Sequence, residues 1–158
     1  MATNKPFFVP QKEVDLINKF NEELIDDIVG QTVDIYKVSI DDTEANVYGE
    51  AVNGGSKTFT TAFRVNCLIN FEEPTVDQDE FGTDVDTSIG MYFQRKSLED
   101  SDFYPEPGDI VHWNQFYFEI NGVTEPQLIA GHQGYRHDVT ATAHRVRRSS
   151  LNIEERIM

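Results

Sequence analysis

The residues best suited to chemistry in this chain are its histidines and its acids, and their spacing limits what they can do. His132 and His137, with Asp138 directly after, lie on the glycine-containing stretch Gly131-His132-Gln133-Gly134-Tyr135-Arg136-His137-Asp138. Two imidazoles and a carboxylate could form a three-ligand metal site. No helical pattern holds them at i, i+4, so a metal-dependent enzyme is the minor reading and a polar loop the plainer one. His112 alternates with apolar neighbours and reads as an exposed strand position; the fourth histidine is His144. Asp77-x-Asp79-x-x-Gly82 matches the start of an EF-hand calcium loop. Its fifth position is Phe81, its twelfth is Ser88 where a bidentate Glu is required, and only one helix precedes it. Cys67 is the single cysteine and sits in the apolar run Phe63–Ile69, which predicts a buried, inert thiol. No Ser is framed as a nucleophile elbow, and no phosphate-binding or dinucleotide glycine loop is present. Gly54-Gly55-Ser56-Lys57 joins strand pieces and opens no helix, so it reads as a turn. The expectation is a protein that is not an enzyme, with no catalytic residue, no metal and no cofactor.

The elements that carry these residues must come from one domain, because 158 residues are enough for a single core. Apolar content is 39% and mean hydropathy −0.47, which suits exposed polar arms around a modest core. One cysteine excludes an internal disulfide. The start of the chain lacks the apolar stretch of a signal peptide, and no run approaches the ~20 apolar residues of a membrane span. A soluble protein made in a cytoplasm, without membrane contact, is expected. The 28 acids outnumber 13 Lys and Arg, giving a net charge of −15. That balance argues against clamping nucleic acid, which needs clustered cations, and suits a wall that DNA slides past.

Three parts follow along the chain. Residues 1–10 are an arm in which Phe7, Phe8 and Val9 stand between Pro6 and Pro10; apolar residues on so short a segment dock on something. Residues 11–144 are the domain. Its helix runs from Gln11 to Val29, with Val14, Ile17, Phe20, Leu24, Ile25 and Ile28 on one apolar face and Gly30 as the left-handed stop. Strands are predicted at Val33–Ile40, where a phase slip implies cover on both faces or a bulge, at Thr58–Asn70, Ile89–Arg95, Gln127–Ala130 and Val139–Val146, with a short extended piece at Val47–Ala51. Pro107-Gly108-Asp109 turns the chain into a tight hairpin, Ile110–Trp113 and Phe116–Ile120, broken by Asn114-Gln115. The fold class is mainly β: a small antiparallel barrel or sandwich with one N-terminal helix, a long acidic loop and extended terminal arms. Phe20, Leu24, Ile28, Tyr36, Phe63, Val65, Cys67, Ile69, Val111, Phe118 and Ile120 are the predicted core. The acidic loop is Phe71–Ser88, whose Glu72, Glu73, Asp77, Asp79, Glu80, Asp84 and Asp86 meet no Lys or Arg. Residues 145–158 are a second arm, with Arg145, Arg147 and Arg148 at its base and Leu151, Ile153 and Ile157 along it. Opposite charges on loop and arm suit contacts between subunits.

Three blocks, in order, carry a resemblance. They are Glu23-Leu24-Ile25-Asp26-Asp27-Ile28-Val29-Gly30 with Val33-Asp34-Ile35-Tyr36 and Val47-Tyr48-Gly49-Glu50; then Asp79-Glu80-Phe81-Gly82 leading to a strand near Ile89–Gln94; then Glu106-Pro107-Gly108-Asp109 through Val123, continuing into Gln127-Leu128-Ile129-Ala130-Gly131. In these the chain resembles the neck and head-completion proteins of tailed bacteriophages, the T-even type and cyanophages in particular. The likeness covers residues 14 to 131; the tail after Arg136 matches nothing in that family. It implies a virion protein assembled in the host cytoplasm, a homomeric ring, commonly a hexamer, that binds below the portal and adaptor. Such a ring closes the filled head and offers the docking surface for the tail-terminator or tail protein, while double-stranded DNA passes through its lumen without being read. The acidic loop would face the lumen or a neighbouring ring, and the termini would be inter-subunit arms. A tail-terminator ring, one layer lower, is the alternative.

Overall fold

The structure is a computed structural model that describes residues 11–39, 57–79, 82–125, 137–147, 151 and 153. The Phe7–Val9 arm, the extended piece at 47–51, the turn at 54–57 except Lys57, the strand at 127–130, Glu80, Phe81, His132 and Arg148 lie outside those residues.

Helix α1 (Gln11–Glu22) continues as a π-helical segment, Glu23–Val29, so the predicted span holds. Gly30 ends it in the left-handed region at φ 58°, its N–H donating 3.0 Å to Ile25 O. Strand β1 (Thr32–Tyr36) follows, then β2 (Phe63–Asn66), β3 (Leu68–Phe71), β4 (Thr75–Asp79), β5 (Gly82–Asp86), β6 (Ser88–Gln94), a short α2 (Arg95–Asp100), β7 (Ile110–Trp113), β8 (Phe116–Thr124) and β9 (Asp138–Val146). Seven of these strands form one antiparallel sheet in the order β2-β1-β7-β8-β9-β6-β3. The class expected from the pattern, mainly β with an N-terminal helix, is the class observed.

Strands β2 and β3 are the two edges of this sheet, yet only Cys67 separates them in the chain. A single bent stretch, Phe63–Phe71, therefore pairs with β1 at one edge and with β6 at the other. That joins the edges and rolls the sheet, without a ladder across the seam. The inside of the roll is filled by Val33, Ile35, Val65, Cys67, Ile89, Met91, Phe93, Val111, Phe118, Ile120, Val139, Ala141 and Ala143. Leu98 from α2 and the following Phe103 join the same cluster, Phe103 stacking on Phe63 at 4.5 Å.

A second cluster, Tyr36, Ile110 and Tyr117, lies apart from this core, covered by Phe59, Ala62, Val146, Leu151 and Ile153. Strand β1 thus buries Val33 and Ile35 in one cluster and Tyr36 in the other, which explains its phase slip. The hairpin β7–β8 closes on Asn114 and Gln115, both at positive φ (48° and 69°), the two-residue turn that matches strand twist. At its base Gly108 adopts φ 95° and donates 2.8 Å to Ile120 O. The Asp109 carboxylate takes the N–H groups of Glu106 (2.9 Å) and Val38 (3.4 Å), tying the turn to the end of β1.

Two expectations fail here. Phe20, Leu24 and Ile28 are not core: they are 61%, 40% and 71% exposed. The helix meets the sheet through Val14, Asn18, Asn21 and Ile25, spaced i, i+4, i+7 and i+11, with polar residues in the middle. Asn18 O accepts from Gln94 Nε2 at 2.6 Å, and Asn21 Nδ2 lies 2.7 Å from His137 Nε2. Phe63 and Ile69 are half-buried against the core, while the other predicted core residues are buried. The second failure is the acidic loop, which is largely strand.

Candidate functional site

The acidic segment leaves the rolled sheet where β3 pairs with β6. A last bond, Glu72 N–H to Ser88 O at 3.2 Å, extends that ladder, and Pro74, having no N–H to give, breaks it. Beyond the break β4 and β5 pair as a separate two-stranded ribbon. Its register sets Thr75 opposite Asp86, Asp77 opposite Asp84, Asp79 opposite Gly82, Val76 opposite Val85 and Gln78 opposite Thr83. Directly opposed positions share a face, so the positions of Asp77, Asp79, Asp84 and Asp86 fall on one face and both valines on the other. Period-2 alternation of Val and Thr with Asp was the signal available in the sequence; the poor strand propensity of Asp hid it. Glu72 and Glu73 are exposed at the ribbon's base. With Asp77 and Asp79 on a strand and Gly82 opening the next, the segment is not the helix-flanked loop of an EF-hand.

Sequence reasoning missed the seam between helix and sheet. A recess of about 150 Å³ opens there, walled by Leu24, Leu68 and Tyr92 and ended by Gln94, His137 and Asp138. Gln94 and His137 hold the helix through the two asparagines, whereas Asp138 Oδ1 is buried without a hydrogen-bond partner among the described residues. The apolar flank of the helix, Leu16, Ile17, Phe20 and Leu24, lies exposed beside it. Spacing of Val14, Asn18, Asn21 and Ile25 at helical intervals was the clue to the true contact face.

The described histidines, His112, His137 and His144, scatter. His112 is half-buried, not exposed, and stacks on Tyr117 at 4.7 Å. His144 Nδ1 lies 2.5 Å from Asn121 Oδ1. His137 is engaged by Asn21 and Asn18. Among the described residues no three His, Cys, Asp or Glu come together in a metal-binding group. Burial pushes the Cys67 thiol up to about 12, so it stays protonated at neutral pH. Arg95 is raised by its bond to Glu99, with burial opposing and Glu125 and Tyr104 adding to the rise; Tyr104 also donates to Glu125 at 2.9 Å.

Arg145 belongs to β9 and its guanidinium sits 4.0 Å over the ring of Phe116. Leu151 and Ile153 pack on the second cluster of their own chain. Among the described residues no helix is long and apolar enough to cross a membrane.

No protein-family model matches this chain. None of the curated proteins matches it. Among solved structures it is similar to a chain from the virion of a native gene transfer agent particle, at 14% identity and a TM-score of 0.46, over 73% of this chain and 94% of that one.

Proposed function

We propose that this chain is a structural protein of a phage-like particle, forming a homomeric ring at the neck, six subunits in the form the family resemblance implies. The ring joins the portal and adaptor of the filled head to the tail-terminator or tail protein, and double-stranded DNA passes through its lumen unread. It performs no catalysis and uses no cofactor. The observation that carries this reading is the acidic ribbon β4–β5, a two-stranded sheet of its own set off from the core. An isolated two-stranded hairpin is marginal in water, and Asp77 opposite Asp84 weakens it further. A projection that costs its own stability is retained for its field or its contacts. Seven acids between Glu72 and Asp86, repeated in every subunit of a ring, make a wall that keeps phosphates from adhering. Exposed Phe20, Leu24 and Ile28 add an apolar surface of the kind subunit contacts use.

Immunogold labelling of particles from a lysate in which this chain is expressed tests the placement. Label at the junction of head and tail is expected. Label confined to the shell, or absent from particles, overturns it.

A further inference from the structure

We propose that the exposed apolar stripe of the N-terminal helix pairs with the same stripe on a second copy of this chain, the two helices running antiparallel across a two-fold axis at the level of Asn21 and Glu22. In a ring, neighbours meet head to tail, whereas this contact sets like surface on like. It is therefore a separate contact, and it stands or falls apart from the ring reading.

The stripe is built by a change of helix type. Leu16, Phe20, Leu24 and Ile28 recur at every fourth residue, and all of them are exposed. In an α-helix of about 3.6 residues per turn each such step overshoots by about 40°, so the line would wind off its face. From Glu23 to Val29 the helix is π, with i→i+5 bonds and a turn wider than the step, so the step falls short instead. The two drifts oppose each other and bring Leu16 and Ile28 into line. Exposed Ile17 and Val29 widen the stripe along one side. Val14 and Ile25, which hold the helix to the sheet, are buried on another face.

Charge selects the occupant and its direction. Lys12, Lys19, Glu23 and Asp27 follow one another at steps of seven, four and four, a line along the other side of the stripe. Among the described residues none of these side chains has an ion pair. The cations stand toward the start of the helix and the acids toward its end. A two-fold axis brings the same flank of each helix together in reversed order. Lys19 then lies beside Glu23 of the second copy, and Lys12 near its Asp27. A parallel copy would instead set Glu22, Glu23, Asp26 and Asp27 level with themselves and align the two helix dipoles side by side.

Length sets the strength. Segments of 12 and 7 residues make a helix about 28 Å long, and the stripe spans most of it. One helix pair of that length is at the small end of protein interfaces, below about 1,200 Å² in total, so the association is reversible.

The experiment is disulfide trapping on the full chain, with Leu16→Cys and Ile28→Cys as separate variants and each sample imaged by negative stain. Both positions are exposed, so the fold is kept, and the buried Cys67 does not compete. Like positions of the antiparallel pair lie about 18 Å apart, too far for a disulfide. Mixing the two variants under mild oxidation is expected to give about tenfold more linked dimer than either variant alone. Adding Lys19→Glu, or Glu23→Lys, to both should cut that yield several-fold, and adding the two together should restore it. Linked dimer from either variant alone, or no recovery in the double exchange, overturns the inference. Rings without the mixed cross-link sink this inference alone; the mixed cross-link without rings sinks the ring reading and leaves this one.

Discussion

Phe118 is among the largest fully buried side chains of the core. It is 0% exposed, pairs with Val111 on one side and Arg145 on the other, and belongs to the cluster that fills the roll. Truncation to Ala should cost ~3–5 kcal/mol, a large share of a domain's ~5–15. A urea titration of Phe118→Ala should show the midpoint lowered sharply or no folded baseline at all. Cys67, with its thiol held up at about 12, should resist a thiol reagent at neutral pH and react only as the chain unfolds. Fast labelling under native conditions would contradict its burial. Asp109 has its pKa raised, burial outweighing the bonds from Glu106 and Val38 and the nearby Lys37. A carboxyl raised in the folded state gives stability that is present below its unfolded value and lost as pH rises through the folded one. Asp109 should therefore oppose folding as pH rises through its raised folded-state value. Asp109→Asn should flatten the pH profile of stability there, as measured by denaturation at a series of acidic pH values.

At the level of elements, helix and ribbon make separate predictions. Phe20, 61% exposed, does not hold the helix down, so Phe20→Ser should shift stability within about 0.5 kcal/mol. Its effect should appear in self-association, read by sedimentation of variant and parent at matched concentration. The ribbon is equally separable from the core. Replacing Glu72, Glu73, Asp77, Asp79, Glu80, Asp84 and Asp86 by Asn or Gln should leave the melting transition in place and alter genome retention in assembled particles. Unchanged retention would leave the ribbon a solvated appendage. How far these elements could be read beforehand depended on local chemistry. The limits of the helix and the β7–β8 turn were legible because Gly30, Gly108 and the Asn114-Gln115 pair state their geometry locally. The face of the helix was legible only in part. Apolar periodicity pointed to Val14 and Ile25, which are buried, and also to Phe20, Leu24 and Ile28, which are exposed. The rest of the contact is made through Asn18 and Asn21, whose partners Gln94 and His137 are remote in sequence. The recess depends on that same long-range pairing, so no local pattern announced it.

At the scale of the molecule, the described residues make a rolled sheet whose edges meet at Cys67, a separate acidic ribbon and a helix with an exposed apolar flank. Its two arms differ. Leu151 and Ile153 cover Tyr36, Ile110 and Tyr117, and β9 runs to Val146, so cutting the chain at 145 should destabilise the monomer itself. Removing residues 1–10, which lie outside the described residues, should act on assembly. At a net charge of −15, copies of this chain repel one another, and a ring must be held by contacts strong enough to outweigh that repulsion. Negative-stain imaging of the purified full chain tests the central claim most directly. Closed rings with a central channel, of one subunit number, are the predicted result; separate single subunits at every concentration and salt would contradict it.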